Sequence, residues 1–189
     1  MTDKDKLLKM NNTPSDEDPL AELIVPDVTG LTRLDAALAY AEAGFYTVPC
    51  RKGTANPGSL LGAGWPAKSS RDPDVIRDWW EQWLSAEIAL HAGRSGLVIF
   101  DIDATDAAEV PEVMHEHLKT APKQTTRVDN STKAHYLFKQ PPGRRIGNGT
   151  GALGSGWGEV RGSNGVIMLT PSTHRKASQG GVYAQCHLA

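Results

Sequence analysis

Two carboxylates at the end of an apolar run are the residues of this sequence best suited to chemistry. Asp101 and Asp103 directly follow residues 97–100, a short apolar run preceded by glycine. Such a run predicts a buried strand, on which alternate residues share a face at Cα separations of about 6.5–7 Å. Two carboxylates there need a compensating cation, and carboxylate oxygens suit Mg²⁺ or Mn²⁺. The alternative is that the pair only caps a following helix.

Further polar residues lie on or just after other predicted strands. Glu159 adds a third carboxylate with Arg161 on the same strand face, while His135 and His174 belong to neighbouring segments. Phosphoryl transfer uses this division, because carboxylates hold the cations and nitrogen donors hold the outer phosphates. Each residue also has a structural interpretation: His135 as a hydrogen-bonded sheet histidine, Glu159 as the ion-pair partner of Arg161, and Ser172 with His174 as parts of a turn.

Helices alternate with strands in the first half of the chain. Thr32 and Asp35 predict the start of a helix that ends at Gly44, and Asp72 with Pro73 predicts the start of a second one. A strand is predicted between these helices, at residues 45–49.

An apolar stripe marks the second of these helices. Ile76, Trp79, Trp80 and Trp83 recur at helical spacing. The stripe predicts a face buried in the core, and the alternative is a platform on which bases stack.

The second half of the chain is mostly strand by pattern. Residues 87–90 and 97–101 predict a pair of strands joined by a turn, followed by a helix over 105–118 kinked at Pro111. Further strands are predicted at residues 134–139, 157–161 and 166–169, the last two joined by a hairpin turn at 162–165. Helices packed on one sheet or on two abutting sheets predict an α+β fold.

Composition limits the possible classes of protein. The 189 residues are 39% hydrophobic and 22% charged, which is ordinary for a globular protein, and no apolar run is long enough to span a membrane. Cys50 and Cys186 are too few and too far apart for a disulfide framework or a zinc site. Without an apolar signal segment, we expect a cytoplasmic protein, in the host cytoplasm if a phage encodes it.

The net charge of −2 is unevenly distributed along the chain. Residues 1–110 carry 18 acidic and 10 basic side chains, whereas residues 111–189 carry 4 acidic and 10 basic ones. A basic second half predicts an anionic partner such as nucleotide phosphate or a nucleic-acid backbone. Lys139, Arg144 and Arg145 are the candidates for contact with nucleic acid, although the two arginines also suit a solvated loop tip.

Seven short segments, taken in order, resemble those of a known family. They are residues 34–44 (LDAALAYAEAG), Gly64-Trp65, 72–80 (DPDVIRDWW), 95–103 (SGLVIFDID), 135–138 (HYLF), 159–162 (EVRG) and 171–174 (PSTH). Their order is similar to that of the bifunctional primase/polymerase (prim-pol) domains of the archaeo-eukaryotic primase superfamily, found in phage and plasmid replication proteins. The segments span about residues 31–183.

The resemblance implies both a fold and an activity. The fold is α+β, with an RNA-recognition-motif-like sheet that carries the catalytic site and packs against an N-terminal α/β lobe. Residues 31–189 would form the catalytic domain, with an α/β lobe of roughly 31–95 interleaved with an RNA-recognition-motif-like lobe of roughly 96–185. Independently of the resemblance, the polar and charged composition at the start of the chain predicts that residues 1–30 are a partly disordered leader, with a short docking helix at 19–24. The activity is nucleotidyl transfer from dNTPs or rNTPs that makes or extends primers on single-stranded DNA. Such domains usually precede a helicase or accessory helical domain.

The resemblance also implies roles for individual residues. The catalytic residues, which hold two Mg²⁺ or Mn²⁺ ions, are Asp101, Asp103 and Glu159, and the nucleotide-binding residues are His135, Arg161, Ser172 and His174. The chain departs from the family where small residues usually precede the histidine. Lys133 stands there, and it either adds a phosphate contact or narrows the pocket.

Two rival functions remain open. The sequence from Asp101 to Thr105 fits the Asp-x-Asp-x-Thr motif of a haloacid-dehalogenase-type phosphatase, in which Asp101 would be the nucleophile and Asp103 the acid/base. About a hundred residues precede the motif here, which disfavours that family. The second rival is a nucleic-acid-binding module that has lost its chemistry.

Overall fold

Two antiparallel sheets and five α-helices make up the described part of the protein, a computed structural model that covers residues 23–149 and 156–186. The strands are β1 (Thr47–Cys50), β2 (Glu87–His91), β3 (Leu97–Ile102), β4 (Lys123–Arg127), β5 (Ala134–Lys139), β6 (Gly158–Arg161), β7 (Val166–Met168) and β8 (Gly181–Cys186). The α-helices are α1 (Arg33–Glu42), α2 (Gly58–Leu61), α3 (Trp65–Lys68), α4 (Pro73–Gln82) and α5 (Glu112–Thr120), with 3₁₀ turns at Ala107–Glu109 and Ala177–Gln179. This mixture confirms the predicted α+β class.

The two long N-terminal helices begin where the sequence predicts. The Thr32 hydroxyl accepts a hydrogen bond from the Asp35 backbone N–H, and the Asp72 carboxylate accepts one from the Asp74 N–H. Both side chains thereby satisfy a backbone donor that the first helical turn leaves unpaired. The capping residues therefore fix the starts of α1 and α4.

The tryptophan stripe of α4 packs in the core. Ile76, Trp79 and Trp80 are buried, and Trp83 is half-buried at the end of the helix. The prediction of a core-facing stripe is confirmed, and these indole rings are not available for base stacking.

The strands are divided between the sheets in a way that local pattern did not predict. The three-stranded sheet has the order β1-β2-β7 and the five-stranded sheet the order β6-β3-β5-β4-β8. The predicted pairing of β2 with β3 is wrong, because β2 already has β1 and β7 on its two edges. The predicted hairpin at residues 162–165 is also wrong, since this turn carries the chain from one sheet to the other. Hydrophobic alternation identifies a strand but does not identify its partner.

Other boundaries differ from the sequence predictions by smaller amounts. The helix predicted over 105–118 is a 3₁₀ turn followed by α5, with Pro111 as the residue before its first turn. Strand β8 was not predicted. The leader falls largely outside the described residues, and residues 23–28, which include the end of the predicted docking helix, are not helical. No helix of the described residues is long and apolar enough to cross a bilayer.

Each face of the five-stranded sheet contributes to a different core. Leu97, Ile99 and Leu137 pack with the three-stranded sheet and the N-terminal helices. On the opposite face, Ile102 and Tyr136 pack with the apolar side of α5. Because both faces are covered along most of their length, any polar row on this sheet must be satisfied from within.

Burial of His91 makes the folded state sensitive to acid. His91 lies at the end of β2, where its ring nitrogens contact the Ser69 hydroxyl at 2.8 Å and the Ser163 carbonyl oxygen at 3.1 Å. Burial lowers the pKa of His91 from its ordinary value of 6.5. The unfolded chain therefore binds a proton that the folded chain excludes, and this part of the stability, complete above pH 6.5, is lost as the pH falls toward the folded pKa.

We expect the urea midpoint to fall when the pH is lowered from about 7.5 to about 5.5, where the ordinary carboxylates stay ionised. The contribution of His91 is at most about 1.4 kcal/mol per pH unit. In His91→Gln the protein should be less stable at both pH values, and the difference between them should shrink. A midpoint of the unmodified protein that does not change with pH would contradict this account.

Candidate active site

A row of five polar side chains crosses the five-stranded sheet from edge to edge. The strand register places Glu159 opposite Asp101, Asp101 opposite His135, His135 opposite Gln124, and Gln124 opposite Gln185. Residues directly opposite each other in an antiparallel sheet project from the same face. Three of the sequence-predicted site residues are therefore neighbours on three adjacent strands.

Asp101 is the centre of the charged end of this row. Its Oδ1 lies 3.5 Å from the His135 Nε2, and its Oδ2 accepts a hydrogen bond from the Arg161 Nη2 at 3.3 Å. The same guanidinium nitrogen contacts the Glu159 carboxylate. The side chain of Asp101 is 18% exposed, so the group is reachable from solvent but partly desolvated. One guanidinium thus bridges Asp101 and Glu159, two of the three carboxylates predicted to hold metal ions.

Asp103 lies one residue beyond the end of β3. Its backbone N–H donates to the Trp157 carbonyl oxygen at 2.9 Å, and its side chain is exposed. The Asp103 carboxylate opposes the lowering of the pKa of His135, as Asp101 does but to a smaller extent. Asp101 and Asp103 are two residues apart at the end of β3, which is the strand end where Glu159 stands opposite Asp101.

His135 is enclosed on several sides. It is 7% exposed, its ring stacks on Tyr183 with centroids 6.1 Å apart, and its Nδ1 is 3.2 Å from the Gln124 Nε2. Burial lowers the pKa of His135, and the neighbouring Asp101 carboxylate opposes that shift. The imidazole is consequently neutral near pH 7.

Gln124 and Tyr183 contribute to the site, and the sequence analysis missed both. Tyr183 lies on the unpredicted strand β8. Gln124 lies on β4, whose sequence KQTTR has no apolar run. The alternation of small or apolar residues with Tyr183 and Gln185 along residues 181–186 is the signal that could have identified β8.

Most of the chain matches the model of a known protein family. The model for the N-terminal domain of bifunctional DNA primase/polymerases, Prim-Pol, matches residues 37–188. The chain belongs to the Prim-Pol family. No curated protein sequence matches the chain. The family assignment agrees with the resemblance carried by the seven sequence segments, and it gives no support to the phosphatase alternative.

His174 and Ser172 occupy different environments in the Prim-Pol domain. The His174 ring lies against Tyr183 at a tilt of 54° with centroids 4.7 Å apart, so it is connected to His135 through the Tyr183 ring. Ser172 is 6% exposed, and its hydroxyl accepts the Ile88 N–H at 2.8 Å and donates to the Ile88 carbonyl oxygen at 3.2 Å. The structure therefore gives Ser172 a role in joining the segment after β7 to β2.

The remaining predicted residues lie farther from the carboxylates. Lys133 is half-buried in the turn before β5, two residues from His135. Lys139 stands opposite Leu97, at the other end of β3 from Asp101. Leu97 and Asp101 are separated by about 13 Å along the strand.

Two predicted arginines follow β5 in the chain. Arg144 and Arg145 are exposed, and the charge of Arg145 contributes to lowering the pKa of His91 at the end of β2. They follow the end of β5 that lies opposite Leu97, and the Gln140 side chain bonds there to the Leu97 and Ile146 carbonyl oxygens.

The predicted metal-binding carboxylates of the Prim-Pol domain have the oxygen ligands that divalent metals prefer, but two of them, Asp101 and Glu159, form ion pairs with Arg161. Within residues 23–149 and 156–186, no group of three His, Cys, Asp or Glu side chains is arranged to hold a metal ion. Arg161 contacts both Asp101 and Glu159. The guanidinium is a stand-in cation, and its position shows that the two carboxylates together attract positive charge. Carboxylate oxygens are hard donors of the kind that Mg²⁺ and Mn²⁺ prefer.

Proposed function

We propose that this Prim-Pol domain is a metal-dependent DNA primase/polymerase, which adds nucleotides to a primer strand paired with a single-stranded DNA template. The family supplies the reaction class. The observation that carries the proposal is the placement of Asp101 between Glu159 and His135 on three adjacent strands. This arrangement sets carboxylates beside nitrogen donors, which is the division of roles that phosphoryl transfer requires.

Asp101, Asp103 and Glu159 would hold the divalent cations. When bound there, Mg²⁺ or Mn²⁺ would supply positive charge to offset the negative charge of the reacting 3′-oxygen and of the leaving pyrophosphate. Cations held by these carboxylates would compete with Arg161, because its Nη2 contacts both Asp101 and Glu159. A released guanidinium next to the site is well suited to the triphosphate of the incoming nucleotide, since planar N–H donors match phosphate oxygens.

His135 serves the incoming nucleotide from the other side of Asp101. A neutral imidazole can donate a hydrogen bond to a phosphate oxygen, and its burial against Tyr183 fixes the ring in place. His174 contacts the Tyr183 ring as well, and Lys133 adds a positive charge in the turn before β5. Together these side chains would orient the triphosphate relative to the carboxylates.

We further propose that the five-stranded sheet is the RNA-recognition-motif-like sheet of the family. Its antiparallel strands carry α5 on one face and the polar row on the other, which supports this assignment. The three-stranded sheet with α1 and α4 would then be the N-terminal lobe, completed by β7 from late in the chain.

Template DNA would contact the basic end of the sheet. Lys139, Arg144 and Arg145 are exposed there, and residues 111–189 carry the excess of basic over acidic side chains. The separation of about 13 Å along β3 corresponds to a few nucleotides of a strand that leads away from the site of synthesis.

Primer extension on a single-stranded DNA template tests the function. We expect incorporation of nucleotides that depends on the template and on added Mn²⁺ or Mg²⁺. Parallel reactions without a primer would show whether the domain also starts chains, and separate dNTP and rNTP reactions would show its preference. Binding of DNA with no incorporation under any of these conditions would favour the binding-module alternative. Phosphate release without template would favour the phosphatase.

A further inference from the structure

Gln124 joins the row of polar residues to the other sheet. It is 3% exposed, and it lies on β4 directly opposite His135. Its Oε1 accepts a hydrogen bond from the Thr170 backbone N–H at 2.7 Å, and its Nε2 donates to the Met168 carbonyl oxygen at 2.8 Å. Met168 ends β7 of the three-stranded sheet, so the amide spans the gap between the two sheets.

These two backbone partners leave the amide a single orientation. A backbone N–H can only donate and a carbonyl oxygen can only accept, so the Gln124 oxygen must face Thr170 and its NH₂ group must face Met168. The second proton of that NH₂ group is directed toward the His135 Nδ1, 3.2 Å away. The His135 Nδ1 must therefore accept a hydrogen bond, which leaves the proton of the neutral ring on Nε2.

We infer that Gln124 is a positioning residue, which holds His135 in its Nε2–H tautomer and so presents an N–H donor beside Asp101. The nearest carboxylate oxygen, Asp101 Oδ1, is 3.5 Å from Nε2. This distance is longer than an ordinary N–H···O hydrogen bond, so the proton stays available to an acceptor brought by a ligand.

The consequence for the reaction rests on the proposed function. With its proton on Nε2, His135 can donate to an oxygen of the incoming triphosphate. The other tautomer would present a lone pair to that anion and repel it. Gln124 would thus act on nucleotide affinity through His135, without contacting the nucleotide itself.

Nuclear magnetic resonance of ¹⁵N-histidine-labelled protein tests the tautomer directly, because protonated and unprotonated ring nitrogens have distinct shifts. The His135 signals are assigned by their absence in His135→Asn. At neutral pH we expect His135 to carry its proton on Nε2 in the unmodified protein. Gln124→Met, which offers no donor, should give a mixture of tautomers. Gln124→Glu, at a pH where its carboxylate is ionised and can only accept, should favour the proton on Nδ1.

Gln185→Met is the matched control. Gln185 is the next residue of the same row, and its side chain binds the Pro26 carbonyl oxygen and the Tyr40 hydroxyl. Both glutamine-to-methionine variants lose side-chain hydrogen bonds to other parts of the chain, buried ones at Gln124 and half-buried ones at Gln185, and both should lose stability. Only the change at Gln124 should alter the His135 signals and raise the KM for the nucleotide by about tenfold, with a smaller change in kcat.

The outcomes separate this inference from the proposed function. An Nδ1–H tautomer in the unmodified protein, or an unchanged tautomer in both Gln124 variants, overturns the inference even if the domain incorporates nucleotides. An equal rise in KM in Gln185→Met also overturns it, because the effect would then be a general loss of structure. A Gln124-dependent Nε2–H tautomer in a domain that incorporates nothing supports the positioning role and rejects the proposed function.

Discussion

Asp101→Asn is expected to reduce template-dependent incorporation of nucleotides by about a thousandfold or more. Asp101 lies between Glu159 and His135 in the strand register, and its two oxygens face Arg161 and His135. Asparagine keeps the size of the side chain but removes the negative charge, so it cannot neutralise a divalent cation. The measurement is the initial rate of primer extension on a fixed template, with saturating Mn²⁺ or Mg²⁺.

The matched control for this substitution is Asp78→Asn. Asp78 is an exposed residue of α4, away from the sheet that carries the row, and its variant should extend primers at the normal rate. Circular dichroism and urea unfolding would check that Asp101→Asn is folded, which we expect because asparagine fits the same space. A folded Asp101→Asn that keeps more than about a tenth of the activity would reject Asp101 as a catalytic residue.

The largest effect on stability is expected from Arg33→Met, at about 3–5 kcal/mol. Glu87 on β2 is 1% exposed, and its carboxylate accepts hydrogen bonds from the Arg33 Nε at 2.7 Å and Nη2 at 3.3 Å, and from the Thr173 backbone N–H at 3.1 Å. Methionine keeps much of the apolar stem of arginine but supplies no donor. The variant would therefore leave a charged carboxylate buried with one remaining donor, and urea unfolding would measure the loss.

Arg77→Met shows what an exposed ion pair is worth in the same protein. Arg77 pairs with Asp74 at 3.0 Å on the surface of α4, and solvent screens that pair. Its loss should cost no more than about 1 kcal/mol. Similar losses for Arg33→Met and Arg77→Met would mean that burial does not strengthen the dependence of Glu87 on its partner.

The sequence was informative where the chemistry of a residue type and its local spacing were sufficient. Asp101 and Asp103 follow a short apolar run, which is typical of a buried strand, and the tryptophans of α4 follow the helical period of a buried face. Thr32 and Asp72 fix the helix starts through bonds within three residues. In each case the decisive interaction lies within a few positions along the chain.

What could not be predicted depends on contacts between distant residues. Gln124 bonds to Met168 and Thr170 more than forty positions away, and nothing in the sequence around it distinguishes it from a surface glutamine. The pairing of β2 with β7 likewise depends on the edge of β2 that its pairing with β1 leaves unoccupied, about 75 residues earlier in the chain than β7. The meeting of Asp101 with Glu159 was expected from the resemblance to the family, and it depends on the same long-range register.

The return of β7 to the first sheet has a consequence for how the molecule is made. One edge of β2 has no partner until residues 166–168 have left the ribosome, long after β3 and β5 have been synthesised. A fragment that ends before β7 would leave this edge of β2 exposed to other chains, and exposed strand edges promote aggregation. The two sheets should therefore fold and unfold together in a single cooperative step. A truncation that removes β7 should yield insoluble protein instead of a folded N-terminal half.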